Sequence, residues 1–433
     1  MILKRITLTM TLMAFGLMAA AQEQPVLRLS LAEAQQYAVE HNAAMQNADL
    51  DVKKAELSRW KTLSSMLPQV KAGFDYQNMC GYEMHMGSGL MSISIPMDPN
   101  GNFSVTASVA LTGAQIVGTM LQNIALQMSD ITRQQTEQQT RSSVKSVYVS
   151  ILVMEQTVGL LDSSLANIER LAATTQASVD VGAAEQVDAD KLQVQVASMR
   201  NSINSTQRSL QALRNTMLLQ LGADVNAELE LTTGVNDILS VDNATQLLSH
   251  GFDITRNYNY QLLEQSEKIA KHNVTMAWMD FTPTLTAYYQ YSKKVYFGEE
   301  GMNMTPPNMI GASISIPLLT TGTRVAGIKS AKIDYQETVN NRRQAEDGLR
   351  VQYNQLCYDL ASALETYDIQ SRNLEVSQRV FDNITEKYRY GRASSLEVTN
   401  ASTDIISAQS NYIQAVMSVL SAQVALEDLL NEK

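Results

Sequence analysis

The stretch "HNAAMQNADLDVKKAELSRWKTLSSMLPQVKAGFDYQ" at 41–77 returns, altered, as "RNYNYQLLEQSEKIAKHNVTMAWMDFTPTLTAYYQYS" at 256–292. Asn42 stands over Asn257, Gln46 over Gln261, Ala55 over Ala270, Pro68 over Pro283, Ala72 over Ala287 and Tyr76 over Tyr291. In each copy a polar run stops at a proline and a period-two stretch begins. After Pro68, Val70, Ala72, Phe74 and Tyr76 face one way, and Lys71, Gly73, Asp75 and Gln77 the other. After Pro283, Leu285, Ala287, Tyr289 and Tyr291 alternate with Thr284, Thr286, Tyr288 and Gln290. Strict alternation is the pattern of a strand with two unlike faces. Two more such runs follow, Phe103 to Leu111 and Ile310 to Ile316. The chain therefore reads as a duplication with two separated pairs of strands.

Proline placement shows what lies between them. The eight prolines fall at 25, 68, 96, 99, 283, 306, 307 and 317, leaving 100–282 and 318–433 free of the strongest helix breaker. Both gaps carry sustained three-four spacing. The first runs Val144, Val147, Ile151, Met154, Val158, Leu161, Leu165, Ile168, and resumes after Gly182 from Leu192 to Met217. The second runs Leu349, Tyr353, Leu356, Leu360, Ala363, Tyr367, then Leu374, Phe381, Ile384, Tyr388. It resumes after Gly391 from Ile405 to Leu430, with Gln409 and Gln423 inside the stripe. Such spacing predicts coiled-coil helices. Each gap is expected to hold a long helix (115–178 and 323–388) and a return helix (186–221 and 394–430). The glycine turns "SVDVGAAEQVDAD" (178–190) and "KYRYGRASSLEVTN" (387–400) join them. The expected strands are 69–78, 102–112, 284–297 and 309–317. The repeats are 22–222 and 251–433, joined by a connector at 223–250.

The start of the chain, "MILKR" and then an apolar run from Ile6 to Ala20 closed by small residues, predicts a cleaved secretory signal peptide at 1–21. No cysteine lies near the cut, so no lipid anchor is indicated. Cys80 and Cys357 are the only cysteines and are expected to stay unpaired. A net charge of -11 argues against a nucleic-acid partner. The four histidines (41, 85, 250, 272) are scattered, and no nucleophile motif, phosphate loop or zinc spacing occurs, so neither an enzyme nor a cofactor is indicated.

Alternating strands of about 9–11 residues on an exported chain, with aromatics gathered at them, suit a membrane β-barrel. Four strands cannot close one, and an open edge in lipid leaves backbone groups unsatisfied. Two copies would supply eight strands, and three would supply twelve.

The paired strand starts "LPQV" and "TPTL", "ASISIPLLTTGTRVAGIKSAK" at 312–332 and "KYRYGRASSLEVTNA" at 387–401 together make the chain similar to the TolC-like outer-membrane efflux and secretion channels, over essentially the whole mature length. The resemblance implies a mixed fold: a twelve-stranded trimeric β-barrel in outer-membrane lipid on a long periplasmic α-helical barrel. It also implies a homotrimer that docks to an inner-membrane pump through a periplasmic adaptor protein. Acidic residues at the start of the last helix ring the aperture in that family; the matching positions are Glu397, which keeps the acid, and Asn400, which departs from it. Asp188 is their counterpart in the first half. These carboxylates could equally serve the helix starts they occupy. Val181, Gly182, Tyr390, Gly391 and Arg392 are candidate adaptor contacts, although the glycines would also be needed simply to turn the chain.

Two other functions fit parts of the same sequence. A trimeric surface adhesin also combines four strands per chain with coiled coils, but keeps its strands in one C-terminal block. A copper or silver efflux channel is suggested by "NMCGYEMHMGSGLM" (78–91), where Met79, Met84, His85 and Met86 are weak candidate ligands of a soft metal. Finally, Ser-Ile-Ser-Ile-Pro occurs at both 92–96 and 313–317. Alignment of the halves places the second copy over Ser108–Thr112 and leaves the first in a loop or strand tip.

Overall fold

The computed structural model describes residues 26–87, 93–238, 241–297, 306–318 and 321–431. The expected signal peptide lies outside them. Along the chain the first repeat gives β1 (Val26–Leu29), α1 (Leu31–His41), α2 (Ala43–Ser64), β2 (Gln69–Gln77), β3 (Glu83–Met86), β4 (Ile93–Pro96), β5 (Asn100–Leu111), α3 (Gly113–Asp180) and α4 (Gln186–Leu221). A connector holds β6 (Glu228–Leu231), α5 (Val235–Ile238) and α6 (Val241–Ser249). The second repeat gives α7 (Tyr258–Met279), β7 (Thr284–Tyr296), β8 (Asn308–Ser315), α8 (Thr323–Arg389) and α9 (Ser395–Leu430). Element ends move by up to two residues from those read in the sequence. Duplication is visible in the lengths: α2 and α7 have 22 residues each, α4 and α9 have 36 each, and α3 and α8 have 68 and 67.

The chain forms two compact units, each built from both repeats. One takes 49–132 and 259–346. At its centre is an antiparallel sheet in the order β2-β5-β7-β8. The register carries one face across all four strands: Val70↔Ala107, Ala107↔Tyr289 and Tyr289↔Ile310 form one rung, and Phe74↔Phe103 another. That face holds Val70, Ala72, Phe74, Tyr76; Phe103, Val105, Ala107, Val109, Leu111; Leu285, Ala287, Tyr289, Tyr291, Val295; and Ile310, Ala312, Ile314. The reverse face holds Gln69, Lys71, Asp75; Asn102, Ser104, Thr106, Ser108; Thr284, Thr286, Gln290, Ser292; and Ser313 and Ser315. Lys293, paired with Phe103, is the one charge on the apolar face among the described residues. The apolar face is uncovered: Val70 is 69% and Ile310 85% exposed. Both sheet edges, β2 and β8, are unpaired among the described residues. In the same unit, Arg342 of α8 holds α7 by bonds to Glu267 (2.6 Å) and the Tyr260 hydroxyl (2.8 Å).

The register corrects the alignment of the strand pairs. Gln69 pairs with Ser108, and its repeat partner Thr284 pairs with Ser315. Ser108 therefore corresponds to Ser315, not to Ser313 as the sequence alignment placed it. The slip is two residues, an even number, so every side chain keeps its face and the pattern alone could not detect it. The segment between β2 and β5, which the sequence reads as a loop or strand tip, contains a strand pair of its own, with Met84↔Ile95 and His85↔Ser94. Residues 93–96 of the first Ser-Ile-Ser-Ile-Pro copy form its second strand. The second copy supplies the last residues of β8, so identical letters occupy unrelated strands.

The other unit takes the described residues of 26–48, 133–258 and 347–431 and, among them, is helical apart from the parallel pair β1–β6. The heptad residues of the return helices are its core: Leu192, Val196, Met199 and Ile203 of α4 pack with Ile168 and Leu171 of α3. On α3, however, burial is not a single stripe. Val144, Tyr148, Ile151 and Leu152 pack with α1 and α4, while Val149 and Val153 pack with Val416 and Leu420 of α9. A helix with neighbours on both sides needs two adjoining seams, and the three-four count finds only one. Burying each such side chain contributes about 1.5–3 kcal/mol. Inside the seam, the buried Gln409 donates to Ser164 Oγ at 3.2 Å, a polar pair that fixes register. Tyr148, fully buried, donates to Leu29 O and accepts from Thr233 N, tying α3 to the connector.

The duplication extends to single bonds. Asn42 Nδ2 donates to Gln220 O, and its repeat partner Asn257 donates to Leu429 O. The return helices end on left-handed residues at the same place, Gly222 (φ 72°) and Asn431 (φ 60°).

Candidate functional site

The two glycine turns lie in the helical unit and share one backbone design. At the first, Gly182 N donates to Val179 O and Ala183 N to Ser178 O. At the second, Gly391 N donates to Tyr388 O and Arg392 N to Lys387 O. These paired bonds close a helix C-terminus around a left-handed residue, and φ is 77° at Gly182 and 69° at Gly391. The next helix starts four residues later in both, at Gln186 and Ser395. Val181 and Tyr390 stand at the tips, 79% and 72% exposed, and Gly182, Gly391 and Arg392 are exposed beside them.

The three candidate aperture residues fall into different settings. Glu397 is the third helical residue of α9 and closes a capping box: Ser394 N and Ser394 Oγ donate to its Oε2 at 2.7 and 2.9 Å, and Glu397 N donates to Ser394 Oγ. Those bonds, from the Ser394 backbone first and its hydroxyl second, with Lys387 nearby, hold the Glu397 carboxyl below the usual glutamate range. Asp188 has the same helical position in α4 but no capping role, because the N-cap there is Glu185, whose side chain makes no cap bond. Its Oδ1 instead accepts from Ser395 Oγ at 2.5 Å and lies 3.7 Å from Lys191 Nζ. Asn400 is exposed on α9. The starts of α4 and α9 are thus bridged by Ser395 through Asp188, while Glu397 bonds to Ser394 of its own helix start. The helices before the turns are linked as well, Thr175 Oγ1 of α3 lying 2.9 Å from the Tyr388 hydroxyl of α8.

Reading the sequence for acids missed the two serines that organise them. The signal was present: Ser394-x-x-Glu397 is a capping-box pattern directly before an apolar run. Ser395 had no comparable signature, since its partner is 207 residues away.

The candidate soft-metal ligands are divided by the β3–β4 pair. Met84 and Met86 lie on one face of β3 and His85 on the other, beside Glu83, which accepts from Ser94 Oγ. Met79 belongs to the preceding turn, where Cys80 is left-handed (φ 53°). Both cysteines are free. No group of three or more His, Cys, Asp or Glu that could hold a metal occurs among the described residues.

Residues 254–432 match the outer membrane efflux protein family. The outer membrane efflux protein BepC of Brucella suis biovar 1 is 20% identical over 349 residues, 78% of this chain and 75% of that protein. Three solved structures share the fold. The outer membrane protein VceC of Vibrio cholerae has a TM-score of 0.74 at 14% identity, covering 92% of this chain and 95% of its own. CusC has 0.75 at 16% identity, covering 93% and 92%. The Neisseria gonorrhoeae MtrE outer membrane channel has 0.73 at 16% identity, covering 92% and 88%. Residues of the second repeat match the outer membrane efflux protein family, and the chain as a whole shares the fold of these solved outer-membrane channels.

Proposed function

We propose that the protein is the outer-membrane exit channel of a tripartite efflux or secretion system, and that three copies build it. The sheet supports this reading most strongly. Its apolar face is continuous and exposed, its reverse face is hydroxyl- and amide-rich, and both edges are open. That is one segment of a barrel whose outside meets lipid and whose inside meets water. An unpaired edge in hydrocarbon leaves several kcal/mol per backbone group uncompensated, so the segment is stable in a membrane only when other copies close it. Three copies give twelve strands. The split of the strands into two mid-chain pairs, each leading into long helices, matches a channel and not an adhesin with one terminal anchor.

In this reading the chain does no chemistry; it supplies a water-filled path for material delivered by an inner-membrane pump through a periplasmic adaptor. Asp188, Glu397 and Asn400 would line the aperture, where fixed charge and width set selectivity. Val181, Gly182, Tyr390, Gly391 and Arg392 would meet the adaptor, the exposed apolar tips Val181 and Tyr390 supporting that role. The divided thioether set gives no support to a resident soft-metal site.

Light scattering of the detergent-purified full chain tests the assembly. The expected mass is three chains. A monomer or an eight-stranded dimer would contradict it.

A further inference from the structure

The chain has only two tryptophans, Trp60 and Trp278, and both are exposed. Both stand in the closing turns of the helices that feed strands, α2 before β2 and α7 before β7. Trp278 packs on Phe281, with ring centroids 6.1 Å apart, and Phe281 is itself 41% exposed. The Arg324 guanidinium, on the second residue of α8, lies 5.6 Å over the Phe281 ring. Arg324 has no carboxylate partner among the described residues. A free cation on an exposed aromatic pair is the chemistry of a membrane interface, where rings sit at headgroup depth and the charge meets phosphate.

The sheet fixes that depth. Its apolar face runs along β7 from Leu285 to Val295, about 33 Å at roughly 3.3 Å per residue. At a strand tilt of about 40° this crosses about 25 Å, the height of a barrel's apolar band. Trp278, Phe281 and Arg324 lie just past its helix-joined end, at the headgroups of the periplasmic leaflet. The rings desolvate one side of the guanidinium and leave its donors turned to an anion.

We propose that Trp278, Phe281 and Arg324 form a binding site for the phosphate headgroup of an anionic glycerophospholipid in the periplasmic leaflet of the outer membrane. The site rests on the outer-membrane reading above and adds to it a specific lipid contact that sets the depth of the barrel.

The test uses full-length protein carrying Trp60→Phe, which leaves Trp278 as the sole tryptophan. It is reconstituted into phosphatidylcholine vesicles doped with a few per cent of either brominated phosphatidylglycerol or brominated phosphatidylcholine. Bromine quenches the indole on contact, so the ratio reports which lipid gathers at Trp278. Brominated phosphatidylglycerol is expected to quench with roughly fivefold greater apparent affinity, the contribution of one cation at an anionic surface. Arg324→Gln should make the two lipids equal, and Arg324→Lys should restore most of the preference. Equal quenching by both lipids with Arg324 in place would overturn the headgroup site. No quenching by either would mean that another copy of the chain covers the surface, and would overturn it too. Ion conductance of the same vesicles separates the claims. Conducting vesicles with an unquenched Trp278 defeat only this site, whereas a failure to insert or conduct defeats the channel reading.

Discussion

The two glycine turns have the same backbone and different side-chain chemistry. Each ends a helix with the same pair of bonds around a left-handed glycine, and each starts the next helix at the same distance. At the second turn a serine caps α9 and Glu397 folds back onto it. At the first, Glu185 stands in the serine's place and its side chain makes no cap bond, while Asp188 accepts from Ser395 of the other repeat. Duplication preserved what the chain path demands and released what it does not. The acid of the second repeat serves its own helix, and the acid of the first ties the repeats together.

Substitutions can break this comparison, and the largest effect is expected where the repeats end. Gly222 and Asn431 close α4 and α9 in the same left-handed conformation. A Cβ on Gly222, however, would press on the His41 carbonyl, 2.8 Å from its carbon, with backbone on both sides. Gly222→Ala should therefore cost about 3 kcal/mol or more, combining left-handed strain with a clash that cannot relax. Asn431→Ala should cost about 1–2 kcal/mol, the strain and the lost bond to Arg256 O. Thermal melting of both variants in detergent checks the ratio.

Gly182→Ala and Gly391→Ala come next, at about 1–2 kcal/mol each, because φ is positive and nothing lies within 4 Å of either new Cβ. Equal losses support the shared backbone design; a large inequality would break it. Ser394→Ala should cost about 1 kcal/mol while Glu185→Ala changes little. Glu185→Ser should bring the first turn closer to the second, with a gain of up to about 1 kcal/mol.

The smallest effect is a pH dependence. Glu397 has a lower carboxyl pKa folded than unfolded, so its contribution is complete above the ordinary glutamate value and is lost as the pH falls through the lower, folded-state value. Glu33 of α1, in the same box with Ser30, behaves alike. In unfolding titrations, Glu397→Gln should remove part of the stability lost on acidification and leave the neutral-pH side nearly flat. A dependence unchanged by the substitution would place the titrating group elsewhere.

Much of the fold was legible because its periods are long. Proline gaps bounded the helices, three-four spacing found the seams from Leu192 to Met217 and from Ile405 to Leu430, and alternation found four strands. The misses have physical causes. The two-residue slip between Ser108 and Ser315 keeps side chains on their faces, so alternation cannot register it. Val149 and Val153 form a second seam on α3, invisible to a search for one stripe. The strand pair at 83–86 and 93–96 is too short for a period to stand out. At the turns, the acids and glycines were legible from type and position, and Ser394 from its spacing to Glu397. Ser395 was not legible, since no local pattern announces a partner in the other repeat.

The central claim is that copies of this chain make a water-filled path through a membrane. Single-channel recording of the purified full-length assembly in planar bilayers tests it most directly. Discrete conductance steps are predicted, with a cation preference that falls when Asp188→Asn and Glu397→Gln are combined. A folded, trimeric protein that inserts and yet gives no steps would contradict the account.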